Sequence, residues 1–161
     1  MLMFVLPIVL IIALVASDQF VKYLAVLYIQ PLDSIAVLPG VFHLTFVINR
    51  GAAFGILQGS RWFFVVITVV VLALEVYYYI TLPKTTGYGF IRAAMVLIAA
   101  GAIGNFIDRL LNGSVVDMFE FKLIQFPVFN LADTFVVCGA GLLIITSLVL
   151  NILNNRKNVH S

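Results

Sequence analysis

Residues 134–153 read TFVVCGAGLLIITSLVLNIL, a run with no charged side chain. A helix needs roughly 20 residues, at about 1.5 Å each, to cross about 30 Å of hydrocarbon. This stretch meets that length and predicts a membrane span over 134–153. Three more apolar runs qualify: 3–29, interrupted by Asp18 and Lys22; 62–82, interrupted by Glu75; and 92–111, which carries Asp108 and Arg109 near its end. Composition agrees. Of 161 residues, 63% are hydrophobic and only 10% charged, and the mean hydropathy is +1.17. A soluble domain of this size carries far more charge on its surface. The expectation is one small integral membrane domain over 1–161, an all-α membrane protein of four transmembrane helices.

Working outward from the spans, the links differ in kind. Residues 83–89 form a short link between the second and third helices. Residues 32–58 contain Pro39-Gly40, a turn signal flanked by β-prone runs at 35–38 and 41–48. They predict a small β-element at the membrane surface, followed by a glycine-rich turn. The link over 112–130, with Gly113 and Pro127, reads as irregular. Four spans put both termini on one side and the two long links on the other. The positive-inside rule nearly ties: Lys84, Arg92, Arg156 and Lys157 stand against Arg50, Arg61 and Lys122. The first run has small residues at Ala13, Ala16 and Ser17, but no basic stretch precedes it. It reads as a retained span and not as a cleaved leader.

Several function classes fall away. The net charge of +2 is too small, and too scattered, for nucleic-acid binding. Cys138 is the sole cysteine, and His43 and His160 lie far apart, so neither a disulfide nor a zinc site is expected. No metal or organic cofactor is implied.

Charged and polar groups near the spans are costly and call for a reason. Asp18 and Lys22, at i and i+4, share a helix face. Asn105, Asp108 and Arg109 lie close together near the end of the third helix. Asn49, Arg50 and Gly51 follow the β-element, Asp117 sits in the third link, and Asn130 and Asp133 open the fourth helix. All these groups fall at one end of the bundle. Nucleophiles are poorly served: Cys138 reads as a small buried hydrophobe in an apolar helix, and Ser17 and Lys22 occupy different faces. Activity is therefore expected to survive thiol alkylation.

Paired carboxylates remain. Two of them about 5 Å apart, at an effective dielectric near ~20, repel by roughly 3 kcal/mol. That holds one protonated while the other is ionised and can take a proton from water. Asp18 has Lys22 as a partner, Asp108 adjoins Arg109, Glu75 lies toward the opposite end and can snorkel or meet Arg92, and Asp33 and Glu120 read as solvated. Spacing favours Asp117 with Asp133 without excluding the others. A polar cluster within spans also suits an ion path, so a small transporter or channel stands as the alternative.

Five stretches stand in order: Asp18-Gln19-Phe20-Val21-Lys22, Asn49-Arg50-Gly51-Ala52-Ala53-Phe54, GNFIDR at 104–109, Val115-Val116-Asp117, and FPVFNLAD at 126–133. Together they resemble the lipoprotein signal peptidase family, also called type II signal peptidase. Met118 departs from a common phenylalanine, and the basic residues usual before the first helix are missing. The resemblance implies an aspartic endopeptidase with Asp117 and Asp133 as the catalytic pair. It implies that Asn49, Gly51, Asn105, Arg109 and Asn130 line the site, with Asp18 and Lys22 in support. It further implies prolipoprotein substrates already carrying diacylglycerol, cleaved just before the lipidated cysteine. Membrane lipids and inhibition by globomycin-type cyclic peptides belong to the same expectation. So do a bacterial cell membrane location, cytoplasmic termini, and a site and β-cradle at the outer leaflet. For Arg109 two readings stay open: a structural ion pair with Asp108 or another acid, or a donor to the substrate.

Overall fold

The computed structural model describes residues 2–52, 54, 56–83 and 85–159. Lys84, the side chains of Arg156 and Lys157, and His160, which enter the charge tally and the histidine spacing, lie outside the described residues.

Among the described residues, four helices are long and apolar enough to cross a membrane: α1 (Leu2–Leu24), α2 (Arg61–Thr81), α3 (Gly89–Asn112) and α4 (Leu131–Val159). The first span does not end with its α-helix. A π-helical turn, Ala25–Ile29, and a 3-10 turn, Gln30–Leu32, carry it onward. Asp33, with φ of 59°, then turns the chain into the sheet. α3 is the central helix, because 44% of its apolar stretch is buried against 6% for each of the other three. α4, α1 and α2 all pack on it. Small residues make this possible: a Cβ at Gly139 would sit 2.8 Å from the Ala94 carbonyl, and one at Gly101 would collide with the Ala132 carbonyl. Such residues let helices close on one another in lipid, where no hydrophobic force drives them together. Gly141, by contrast, meets nothing within 4 Å, so it is not part of that contact. The outward faces carry large exposed apolar side chains such as Ile12, Val66 and Ile145, as a lipid-facing exterior requires.

β1 (Ser34–Leu38), β2 (Phe42–Asn49) and β3 (Val115–Phe121) form one antiparallel sheet in the order β1-β2-β3. The first two strands lie within the expected β-element. The third corrects the reading of 112–130 as irregular. Asp117 and Met118, neighbours in the strand, are both buried, so β3 has no simple in–out alternation; the bulge in its pairing lies on β2 between Leu44 and Val47. The sheet packs its inner face on the end of α1, where Met118, Ala25 and Ile29 are buried together with Leu44, Phe46 and Phe119 around them. Met118 thus fills a core position. Gly113, at φ of 72°, caps α3 through its N–H to the Arg109 carbonyl and sends the chain into β3.

Candidate active site

Asn130 and Asp133 begin α4 with reciprocal bonds. The Asp133 N–H donates to Asn130 Oδ1 at 2.9 Å, and the Asn130 N–H donates to Asp133 Oδ2 at 3.2 Å. This is a capping box, which satisfies N–H groups that the helix itself leaves unpaired. Here it also fixes one carboxylate at the bundle end. β3 delivers the other: Asp117 is buried, and its strand is held by β2 on one side and by Phe129 on the other.

Asn130 and Asn105 join the two acids, and Asn49 holds Asp117 from the other side of the carboxylate. Asn49, the last residue of β2, donates from Nδ2 to Asp117 Oδ2 at 2.9 Å. Asn130 Nδ2 donates to Asp117 Oδ1 at 2.6 Å and to Asn105 Oδ1 at 3.1 Å. Asn105 Nδ2 donates to Asp133 Oδ1 at 2.7 Å. Burial pushes the Asp117 carboxyl up to about 6, and the Asp133 charge adds to this against the two asparagine bonds and the Lys22 charge. The two acids therefore sense each other's charge.

Beneath them lies an ionic cluster. Lys22 Nζ is 2.8 Å from Asp18 Oδ2, 2.7 Å from Asp108 Oδ2 and 2.9 Å from Asn105 Oδ1. Asp18 Oδ1 accepts the Ala132 N–H at 2.9 Å. Gly104 leaves room for this carboxylate, since a Cβ there would lie 2.6 Å from Asp18 Oδ2. Of the two open readings for Arg109, the ion pair with Asp108 does not form among the described residues; Lys22 takes Asp108 instead. Arg109 donates to the Gly51 carbonyl at 3.1 Å and lies 4.6 Å from the Phe64 ring centre. It forms no ion pair among the described residues.

Asn49, Asn105, Arg109, Asp117, Asn130 and Asp133 all line a cavity of about 530 Å³. Its other wall is apolar: Phe121, Phe126 and Phe129 on one side, Val136, Val137 and Cys138 of α4 on the other. Cys138 is exposed, which corrects its reading as a buried hydrophobe. An amphiphile can lie with a polar group at the carboxylates and an apolar tail along α4.

Sequence comparison bears on what this site does. The profile of the family described as Signal peptidase (SPase) II matches residues 10–149. The chain belongs to the signal peptidase II family. It is 46% identical over 145 residues to a Brevibacillus brevis protein named lipoprotein signal peptidase, covering 90% of this chain and 93% of that one. A Halothermothrix orenii protein of the same name is 52% identical over 129 residues, covering 80% and 85% of the two chains. A solved bacterial membrane enzyme superposes with a TM-score of 0.81 at 37% identity, covering 94% of this chain and 92% of its own. The transporter or channel alternative finds no support in these matches.

Within the SPase II fold, the polar residues singled out from the sequence converge on one end of the bundle, Asp18 and Lys22 one layer below the cavity. Glu75 is the exception. It lines a second, apolar groove with Phe4, Ile8 and Met95, and its carboxylate oxygens have no hydrogen-bond partner among the described residues. The suggested Arg92 partner instead bonds the Leu82 and Pro83 carbonyls. Two residues that brace the surroundings of the site, without touching Asp117 or Asp133, escape the sequence reading. Gln19 ties Asp18, the Gly104 carbonyl and Asp108 together. Phe64 carries Arg109. Gln19 stood inside a quoted motif, beside Asp18; nothing in the α2 sequence marks Phe64 from its apolar neighbours.

Proposed function

We propose that this membrane protein is an aspartic endopeptidase that removes the signal peptide from diacylglyceryl-modified prolipoproteins, cutting just before the lipidated cysteine. Family membership supports prolipoprotein processing. The observation that carries the aspartic mechanism is the pair Asp117 and Asp133, held by shared asparagines at the head of a cavity with an apolar wall. An ionised carboxylate of the pair takes a proton from water as its oxygen adds to the scissile carbonyl. The protonated partner gives its proton to the carbonyl oxygen. Collapse of the tetrahedral adduct breaks the C–N bond: the proton taken from water passes to the leaving nitrogen, and one hydroxyl of the adduct returns a proton to the partner carboxylate as the C=O re-forms. Arg109, already bonded to Gly51 and lining the cavity, is suited to donate to substrate carbonyl or ester oxygens.

In this reading the whole chain acts as one peptidase domain. The acyl chains lie in the lateral opening beside α4, the pair and the sheet stand at the outer leaflet, and both termini are cytoplasmic. Globomycin-type cyclic peptides occupy the same cavity and inhibit. The test uses purified protein, a diacylglyceryl-modified lipobox peptide, and the same peptide without lipid. Cleavage of the lipidated peptide alone, unaffected by EDTA, is expected. Equal cleavage of both, or loss on chelation restored by zinc, contradicts the reading.

A further inference from the structure

We propose that Lys22 is a positioning residue for the reacting pair: its buried ammonium pins the Asn105 side-chain carbonyl, so that the Asn105 amide group is forced to donate to Asp133. The inference rests on the reading of Asp117 and Asp133 as that pair.

The argument is one of donor and acceptor bookkeeping. An asparagine amide can be turned over unless its partners fix it. Three asparagines touch the pair, and each carbonyl faces a group that only donates. Asn49 Oδ1 accepts the Gly51 N–H at 2.9 Å. Asn130 Oδ1 accepts the Asp133 N–H at 2.9 Å. Asn105 Oδ1 accepts Lys22 Nζ at 2.9 Å, besides the Asn130 amide that the Asp133 N–H has already oriented. A reversed Asn105 would set its NH2 against the ammonium and its oxygen against Asp133 Oδ1, two repulsive contacts at once. With Lys22 in place, every oxygen of both acids faces an N–H donor. A proton on Asp133 Oδ1 pointing at Asn105 would clash with that donor, so the geometry directs the pair's proton into the cavity, where substrate arrives.

Lys22 is ringed by three acceptors: it pairs with Asp18 and Asp108 and donates to Asn105 Oδ1. It is 4% exposed, so these contacts are shielded from bulk solvent. Asp18 and Asp108 hold the ammonium in place, and Asp18 also holds the Ala132 N–H immediately before Asp133. Gln19 braces the same carboxylates but makes no bond to Asn105, Asp117 or Asp133. The cluster thus offers one residue that reaches the pair through Asn105 and one that only braces.

That difference supplies the test. Lys22→Met alone leaves two buried carboxylates without a cation, so it is made with Asp108→Asn, which preserves the cluster's net charge, and compared with Asp108→Asn by itself. Gln19→Leu is the bracing control. Steady-state kinetics on a lipidated lipobox peptide are run well below each variant's melting temperature. The expected result is that Lys22→Met/Asp108→Asn lowers kcat at least about tenfold relative to Asp108→Asn with KM changed less than about threefold. Gln19→Leu lowers the melting temperature and leaves kcat unchanged. A kcat within twofold of Asp108→Asn overturns the inference, as does an equal kcat loss in Gln19→Leu. If the methionine variant does not fold, Lys22→Gln in the same background retains a donor, and a tenfold loss of kcat there overturns the inference. Failure of the underlying reading is separate: it shows as an active Asp133→Asn, whatever Lys22 does.

Discussion

At the residue scale, the decisive property of Asp117 is its burial next to a second acid. Its carboxyl stands at about 6 in the fold, against about 3.9 in an unfolded chain. Between those values the folded protein holds a proton that the unfolded chain has released. Stability from this group is therefore fully present below about pH 4 and is lost as pH rises through about 6, by roughly 2–3 kcal/mol. Asparagine does not titrate. The melting temperature of Asp117→Asn minus that of the wild type is expected to increase between pH 4 and pH 7; a flat or falling difference would show that Asp117 is not strained by its charge. Arg109 is the other residue with a job to test. Its contacts are a carbonyl and a ring, not an acid. Arg109→Ala is expected to fold and to cleave at least about tenfold less efficiently in kcat/KM, since about 1.4 kcal/mol is tenfold. Unchanged kcat/KM in folded protein would remove Arg109 from the site.

At the element scale, α4 does two things: its first turn fixes Asp133, and its next turns form the apolar wall of the cavity. Cys138 on that wall turns the expectation about thiol reagents around. A bulky maleimide on Cys138 should abolish cleavage by filling the cavity, while Cys138→Ser keeps activity and becomes insensitive. Full activity of alkylated wild-type protein would mean that substrate does not use this wall. The spans were legible because an apolar run of helical length has few other homes. β3 was not, because Asp117 sits inside it, glycine and proline flank it, and the neighbours Asp117 and Met118 are both buried, so its burial does not alternate. The pairing of Asp18 and Lys22 could be read from spacing along one helix. Their bonds to Ala132, Asp108 and Asn105 could not, because they depend on how α1 and α4 pack on α3, and local periodicity carries no such information.

At the scale of the whole molecule, the fold brings two acids from separate elements to one end of a bundle whose exterior is apolar. The strand carrying Asp117 is held by β2 and Phe129; the helix carrying Asp133 is held by α3 and by Asp18. Small residues at 101, 104 and 139 allow those helices to approach closely enough for the asparagine bridges to span the gap. Family membership supports prolipoprotein processing, and the cavity and carboxylate pair suit the proposed hydrolysis. The convergence of the polar residues was visible in the sequence as a shared end of the bundle, while the bonds among them required the packed structure. The central claim is that Asp117 and Asp133 together perform the hydrolysis. Its most direct test is to purify Asp117→Asn and Asp133→Asn in folded form and follow cleavage of a diacylglyceryl-modified lipobox peptide by mass spectrometry. The account predicts that each substitution lowers turnover by on the order of a thousandfold or more; turnover within tenfold of the wild type in either variant would contradict it.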